Sequence, residues 1–274
     1  MENTFSETGF AIIKNAIDPQ TINNIHNNIY YALENKETKS IKSNDLYQVF
    51  FEKLKNNKNT EYSFALPIFE YLLYRNSLEE LLKSKKIFMF LTDLLGKDLS
   101  FCTDPSITIN IPEKPSSEKN YLFKDWHQEI WSGANPSTVQ LWTPLLHKDF
   151  SDGQIELILN SHKWGHIPHR NRKPTNLPEK FKTYKLQLDY GDVLVFSTLL
   201  VHRSIKSSFP RMALPMLLKN FKQIDHSFQN NRNWKIFSYS ELTKIERILG
   251  NHFLSPYRTI SINKSNIYDF YTVK

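Results

Sequence analysis

The sequence predicts an α+β protein, one unit in which helices flank a central series of short strands. Two observations carry this reading. Apolar residues recur at three- and four-residue steps from Ile22 to Leu95, and after Gly96 the texture changes to β-branched and aromatic residues in short alternating runs. A last helical stripe returns at Leu242, Ile245, Ile248 and Leu249. No repeat, heptad array or low-complexity tract divides the 274 residues. Residues 1–274 therefore read as a single domain, helix-rich over 1–98, strand-rich over about 99–220, and closed by a C-terminal helical cover over 221–274.

Taken in order, Gly9 to Lys14 reads as a short strand, and Asp18-Pro19 supplies a helix cap with proline in the first turn. Ile22, Ile25, Ile29 and Leu33 form the buried stripe of that helix, with Asn23, Asn24, Asn27 and Asn28 facing outward and His26 expected at the surface. Leu46, Val49, Phe50 and Leu54 mark a second helix, and Leu78, Leu81 and Leu82 another, with Asn56 to Asn59 as an exposed turn between them. Ile87 to Leu95 is densely apolar and stops at Gly96. Leu99 to Ile111 opens the strand region, and Pro112, Pro115 and Ser116 to Asn120 form a loop. Further strands are expected over Thr138–Leu145, Gln154–Leu159, Tyr184–Leu188, Asp192–Phe196 and Met212–Leu218, with Gly133, Gly153, Gly165 and Gly191 as turn residues. Ser238-Tyr239-Ser240-Glu241 fits a capping box for the last helix.

Hydrophobic residues at 40% and aromatics at 14% exclude a disordered chain, because that much apolar surface offsets the entropy of ordering. Cys102 is the only cysteine, which excludes an intrachain disulfide and a cysteine-based zinc site and suits a reducing compartment. The N-terminus lacks the pattern of a secretory signal and no apolar run is long enough to span a membrane, so a soluble, cytoplasmic protein is expected. Lysine and arginine exceed aspartate and glutamate by 35 − 28 = 7, which steers anionic ligands. No basic motif interleaved with aromatics points to nucleic acid.

The chemistry concentrates between Trp126 and Arg211. His127 and Glu129 are two residues apart, so on a strand their side chains share a face. His202 ends the apolar run that follows Gly191-Asp192, where a buried imidazole needs a partner. Two imidazoles and a carboxylate are the set that holds non-haem Fe(II) with coordination positions left open. A His-x-Glu triplet alone is common, and its context is what singles it out. Ser204 and Arg211 follow His202, and an arginine there can grip a carboxylate through two parallel hydrogen bonds or form an ion pair at a strand edge. His162, His166 and His169 form a rival cluster whose first two members have helical zinc spacing, but Gly165 and Pro168 argue against a helix. Lys163, Arg170, Arg172, Lys173, Lys180, Lys182 and Lys185, opposed by Glu179, read either as a solvated loop or as a flap attracting anions.

Four segments in the right order resemble the phytanoyl-CoA dioxygenase-like branch of the Fe(II)/2-oxoglutarate oxygenases. They are Trp126-His127-Gln128-Glu129, Leu141-Trp142-Thr143-Pro144-Leu145, Gly153 to Gly165 with its Ser-His-Lys-Trp-Gly tail, and Gly191 through His202-Arg203-Ser204 to Arg211. The resemblance implies a double-stranded β-helix, or jelly roll, with helices bracing one sheet. It also implies Fe(II) on His127, Glu129 and His202, with 2-oxoglutarate as cosubstrate and O2 as oxidant. Arg211 with Ser204 would hold the cosubstrate, and Asn110 and Gln140 would add hydrogen bonds to it or to the substrate. Trp126, Trp142, Arg170 and Arg172 are the candidate substrate contacts. The implied reaction is hydroxylation of a small, anionic metabolite such as a nucleotide sugar or acyl thioester, with release of succinate and CO2. The family usually has aspartate where this chain has Glu129, so the ligand ring must shift to take one more methylene. A carboxylate there argues against halogenation, whose halide needs that room. The alternatives are a non-catalytic jelly-roll binding protein with a degenerate metal site, and a His-x-Glu oxygenase of the histone-demethylase-like type, which holds its cosubstrate with lysine.

Overall fold

The computed structural model of the chain describes residues 5–112, 125–151, 154–171, 173–223 and 233–248. The expected loop at Pro115 to Asn120, the turn at Gly153, the candidate contact Arg172, and Leu249 with Gly250 at the end of the last stripe lie outside the described residues. A single helical turn, α1 (Phe5–Thr8), precedes strand β1 (Phe10–Ile13). Five helices follow: α2 (Pro19–Glu34), α3 (Ser43–Lys55), α4 (Glu61–Tyr74), α5 (Ser77–Lys83) and α6 (Lys85–Leu95). The strand region comprises β2 (Leu99–Cys102), β3 (Thr108–Asn110), β4 (Val139–Leu146), β5 (Ile155–Ile158), β6 (His169–Arg170), β7 (Lys173–Pro174), β8 (Thr183–Lys185), β9 (Val193–Ser197), β10 (His202–Ser204), β11 (Arg211–Asn220) and β12 (Trp234–Ile236), and helix α7 (Glu241–Ile248) comes last.

The large sheet runs β1-β9-β4-β11-β2-β12, with β3 also on β11, and the small sheet runs β10-β5-β8. All of these pairings are antiparallel. The period-two alternation of the strands separates two cores. Val139, Leu141, Val193, Val195, Met212 and Leu214 turn to the outer face, where Ile25, Ile29, Leu46, Phe50 and Phe69 from the helices cover them. Trp142, Leu194, Phe196 and Ala213 turn inward and meet Ile155 and Leu157 of the small sheet. Two facing antiparallel sheets with helices on one outer face make the jelly roll.

Local signals set the positions of these elements. Asp18 Oδ1 accepts the Thr21 N–H at 2.9 Å and Pro19 opens α2. Gly191 has φ +85°, and a Cβ there would stand 3.0 Å from the Ile17 carbonyl oxygen, so only glycine lets β9 begin so close to the β1–α2 connection. Burial alone would raise the Asp192 carboxyl, but Lys14 at 2.7 Å and the N–H groups of Asp189 and Asn15 hold it below the ordinary value. The Gly-Asp pair thus fastens the N-terminal segment to the sheet.

Four expectations change. His26 is buried rather than at the surface: its Nε2 lies 3.2 Å from the Leu145 carbonyl and its ring meets Tyr190 edge-on at 5.1 Å, so burial lowers its pKa to about 4. The expected strand Tyr184–Leu188 is confined to β8, and Leu186 and Leu188 instead point into the inner core. The cap of α7 is Ser240, not Ser238: Ser240 Oγ accepts the Thr243 N–H at 3.2 Å while its own N–H donates to Asp98 at 2.8 Å. Thr243 is buried, and Lys222 reaches Glu246 at 2.9 Å, so polar anchors set the helix phase. Leu242, Ile245 and Ile248 consequently face outward, and the stripe read as a covering face is exposed among the described residues. No described helix is long and apolar enough to cross a membrane.

Candidate metal centre

The centre is assembled by backbone pairing between distant segments. His127 and His202 face each other in an isolated antiparallel bridge, with N–H···O distances of 2.9 and 3.0 Å in the two directions. His202 is also the first residue of β10, paired with Leu157 of the small sheet. Gln128 is extended (φ −115°, ψ 143°), so His127 and Glu129 emerge on one side. Beyond Gln128 the chain leaves the expected strand geometry, since Glu129 opens a tight helical turn that ends at Ser132.

Gln128 itself points the other way and is fully used. Its Nε2 donates to the carbonyls of Gly165 at 2.9 Å and Leu199 at 2.6 Å, and its Oε1 accepts the Ile167 N–H at 2.9 Å. Reading the sequence for ligands missed this residue. The signal was present, because a residue between two same-face ligands must serve the opposite face.

Glu129 Oε1 lies 3.3 Å from Nε2 of both His127 and His202, and all three residues are buried. The ring centroids of the histidines are 4.1 Å apart. Each imidazole is pinned at Nδ1, His127 by the Asp125 carbonyl at 2.7 Å and His202 by the Leu200 carbonyl at 3.0 Å. A carbonyl fixes the proton on Nδ1, which turns the Nε2 lone pair toward the carboxylate. Three lone-pair-bearing atoms converging in a buried space repel one another unless a cation sits between them. Ligand atoms at about 2.1 Å from a metal and at right angles are about 3 Å apart. The observed 3.3 Å fits that spacing, and the extra methylene of Glu129 leaves its oxygen equidistant from both rings. Gln140 Nε2 donates to the same oxygen at 3.4 Å, and Phe196 packs on His202 at 4.6 Å between centroids.

The other candidates fall at stated places. Arg211 is buried, with its guanidinium 5.2 Å from the centre of the Trp142 ring. Gln140 and Trp142 are alternate residues of β4, so Glu129 at one and Arg211 at the other lie along the same inner face. Asn110 pairs with Arg211 across β3 and β11, and its Nδ2 donates to the Ile205 carbonyl at 3.0 Å. Ser204 follows His202 by two residues on β10, and is half-buried. Trp126 precedes His127 in the chain but packs under Arg203, whose guanidinium is 4.3 Å from its ring and binds Glu156 at 2.8 Å. Arg170 is exposed on the β6–β7 hairpin. His162 Nε2 lies 3.0 Å from the Ser6 carbonyl and His169 stacks on Trp131 at 4.6 Å, so these histidines serve separate packing roles. Among the described residues, the candidate ligand set is His127, Glu129 and His202.

Comparisons with known proteins bear on the family and the fold. The family model for phytanoyl-CoA dioxygenase (PhyH) matches residues 5–213. The chain is similar in structure to the non-heme monooxygenase ThoJ in its apo form, with a TM-score of 0.59 and 15% identity over 86% of this chain and 83% of that one. It is similar also to the ThoJ–Ni complex, with a TM-score of 0.53 and 13% identity over 86% and 82% of the two chains. At these identities the likeness establishes the fold. No protein with a curated description matches the chain.

Proposed function

Because the chain belongs to the phytanoyl-CoA dioxygenase family, we propose that it is an Fe(II)/2-oxoglutarate-dependent oxygenase that hydroxylates a small anionic metabolite, using O2 and releasing succinate and CO2. The observation that carries this reading is the convergence of His127, Glu129 and His202 on one buried point. Fe(II) held there would supply the chemistry that couples O2 reduction and oxidative decarboxylation of 2-oxoglutarate to oxidation of a C–H bond.

The residues of the chain orient and shield. Asp125 and Leu200 fix the imidazole tautomers through their carbonyls, and Gln140 fixes the Glu129 carboxylate. Gln140 and Trp142 are about 7 Å apart along the strand, the order of length of an extended five-carbon diacid. A cosubstrate reaching from the metal toward Trp142 would therefore present its far carboxylate to Arg211, which suits a two-point grip. Trp142, Leu194 and Phe196 line the inner core beside this path and limit water. Exposed Lys163, Arg170, Lys173, Lys180, Lys182 and Lys185 give the adjoining loop a positive field, which supports a phosphate-bearing or carboxylated substrate such as a nucleotide sugar or acyl thioester.

Anaerobic titration with Fe(II) and 2-oxoglutarate tests the reading: a visible charge-transfer band is expected, followed by succinate release on admitting O2 and a metabolite pool. Arg211→Ala is expected to weaken 2-oxoglutarate binding about tenfold or more at unchanged metal affinity. Absence of both band and succinate would leave a ligand-binding jelly roll with a degenerate metal site, and unchanged cosubstrate affinity in R211A would remove the assigned clamp.

A further inference from the structure

The outer face of the small sheet has so far carried no role. His202 pairs with Leu157, an inner-core residue, so the alternation of β10 turns Arg203 to the outer face. The bridge between His127 and His202 is antiparallel, which sets Trp126 opposite Arg203 on that same face. Arg203 in turn pairs with Glu156 of β5. Trp126, Arg203 and Glu156 thus form a row behind the two histidines, displaced from them by one residue along each segment.

The row is closely connected. Glu156 is buried, with its side chain only 5% exposed, and Nε and Nη2 of Arg203 reach its Oε2 at 2.8 and 2.7 Å. The flat guanidinium lies over the Trp126 ring at 4.3 Å, and its Nη1 stands 3.9 Å from the Asp125 carboxylate. Phe181 meets the indole edge-on at 6.0 Å, and the indole rests on the cluster of Ile158, Ile167 and Val201. A lysine could neutralise Glu156 or cover the indole, but a planar fork does both at once. Asp125 and Trp126 are the two residues before His127, and the Asp125 carbonyl lies 2.7 Å from His127 Nδ1. The bridge is one residue pair long, so it fixes the position of His127 and does little to fix the direction of the chain entering it. We propose that Arg203 is a positioning residue of the metal centre: by clamping Trp126 to Glu156 it sets the direction of the Asp125–Trp126 segment and, through the Asp125 carbonyl, the angle of the His127 ring. This rests on the metal reading above and adds a residue to it. Ligand geometry then depends on an ion pair on the face of the sheet turned away from the metal.

Co(II) bound to the full chain tests this, since its visible bands report ligand geometry and its titration reports affinity. Arg203→Ala with Glu156→Leu removes the clamp and both charges together, so no carboxylate is left buried alone. This double variant is expected to bind Co(II) about tenfold more weakly than wild type and to shift the visible bands. Trp126→Leu opens the clamp at its other end and leaves the Arg203–Glu156 pair intact. It is expected to give the same shift, and combining all three changes is expected to add less than about twofold further loss, because one clamp can be lost only once. Bands and affinity unchanged in either folded variant overturn the proposal, and so does weaker binding with unshifted bands, which assigns Arg203 a purely structural role. Should the double variant not fold, Trp126→Leu decides by the same two readings. A wild-type chain that binds no Co(II) overturns the metal centre itself, whereas wild-type binding with unaffected variants overturns the Arg203 assignment alone.

Discussion

Gln128 makes the sharpest demand on the architecture of the centre. Gln128→Ala deletes three hydrogen bonds and orphans the buried Ile167 N–H and the Leu199 carbonyl. Each buried group left unsatisfied costs about 1–3 kcal/mol. With water recovering part of that in the space vacated, the loss is about 2–4 kcal/mol, a large share of the roughly 5–15 kcal/mol that stabilises a typical domain. Gln128→Glu is the harsher change despite its equal size, because it sets an anionic oxygen against the Gly165 and Leu199 carbonyls. The damage extends to the metal. Gln128 lies between two ligands, and Leu199 precedes Leu200, whose carbonyl orients His202. Metal affinity is expected to fall about 10–100-fold in Q128A. Urea unfolding of the metal-free protein and calorimetric titration with Co(II) measure the two effects. Q128E as stable as wild type, or Q128A binding metal within about twofold of wild type, would refute the latch.

Other consequences are equally direct. Glu129→Ala removes one of three ligands and is expected to lower metal affinity at least about 100-fold, while Glu129→Asp retracts the carboxylate by one methylene and lowers it about tenfold, both read by the same titration. His26 has a folded pKa of about 4 against an ordinary 6.5, so the unfolded chain protonates first. Its contribution is complete above pH 6.5 and is lost by about 3 kcal/mol as pH falls toward 4, with His26→Gln giving a flatter profile in urea unfolding. Gly9 has φ +78°, and a Cβ there would stand 2.4 Å from His162 Nδ1. Gly9→Ala is therefore expected to cost about 1–3 kcal/mol, a melting-temperature drop of about 2–4 °C per kcal/mol.

Much of this architecture was legible because local chemistry decided it. Asp18-Pro19 and Gly96 bound their helices as read, and the strands expected over Thr138–Leu145, Asp192–Phe196 and Met212–Leu218 coincide with β4, β9 and β11 to within a residue or two. The three candidate ligands were legible as residue types in an order, and their convergence came from pairing between distant segments. What escaped depended on partners far along the chain. Nothing near His26 in sequence announces Leu145 or Tyr190, and the local pattern buries Leu242 and Ile245 where polar contacts with Asp98 and Lys222 turn them outward. Gln128 was overlooked for the same reason, since its role is defined by carbonyls that the fold delivers.

The bridge between His127 and His202 gives metal loading a mechanical meaning. Two ligands sit on segments that the backbone already clasps with a reciprocal pair of hydrogen bonds, and one of those segments belongs to the small sheet. An ion bound across them would act as a removable cross-link, closing the chain from 127 to 202 and stabilising the folded state by mass action. The strands of the small sheet are only three or four residues long, so the clasp adds to a pairing that is short on its own. Occupancy of the centre and cohesion of the small sheet then become one quantity, and amide exchange along β10 and β5 would report how full the site is.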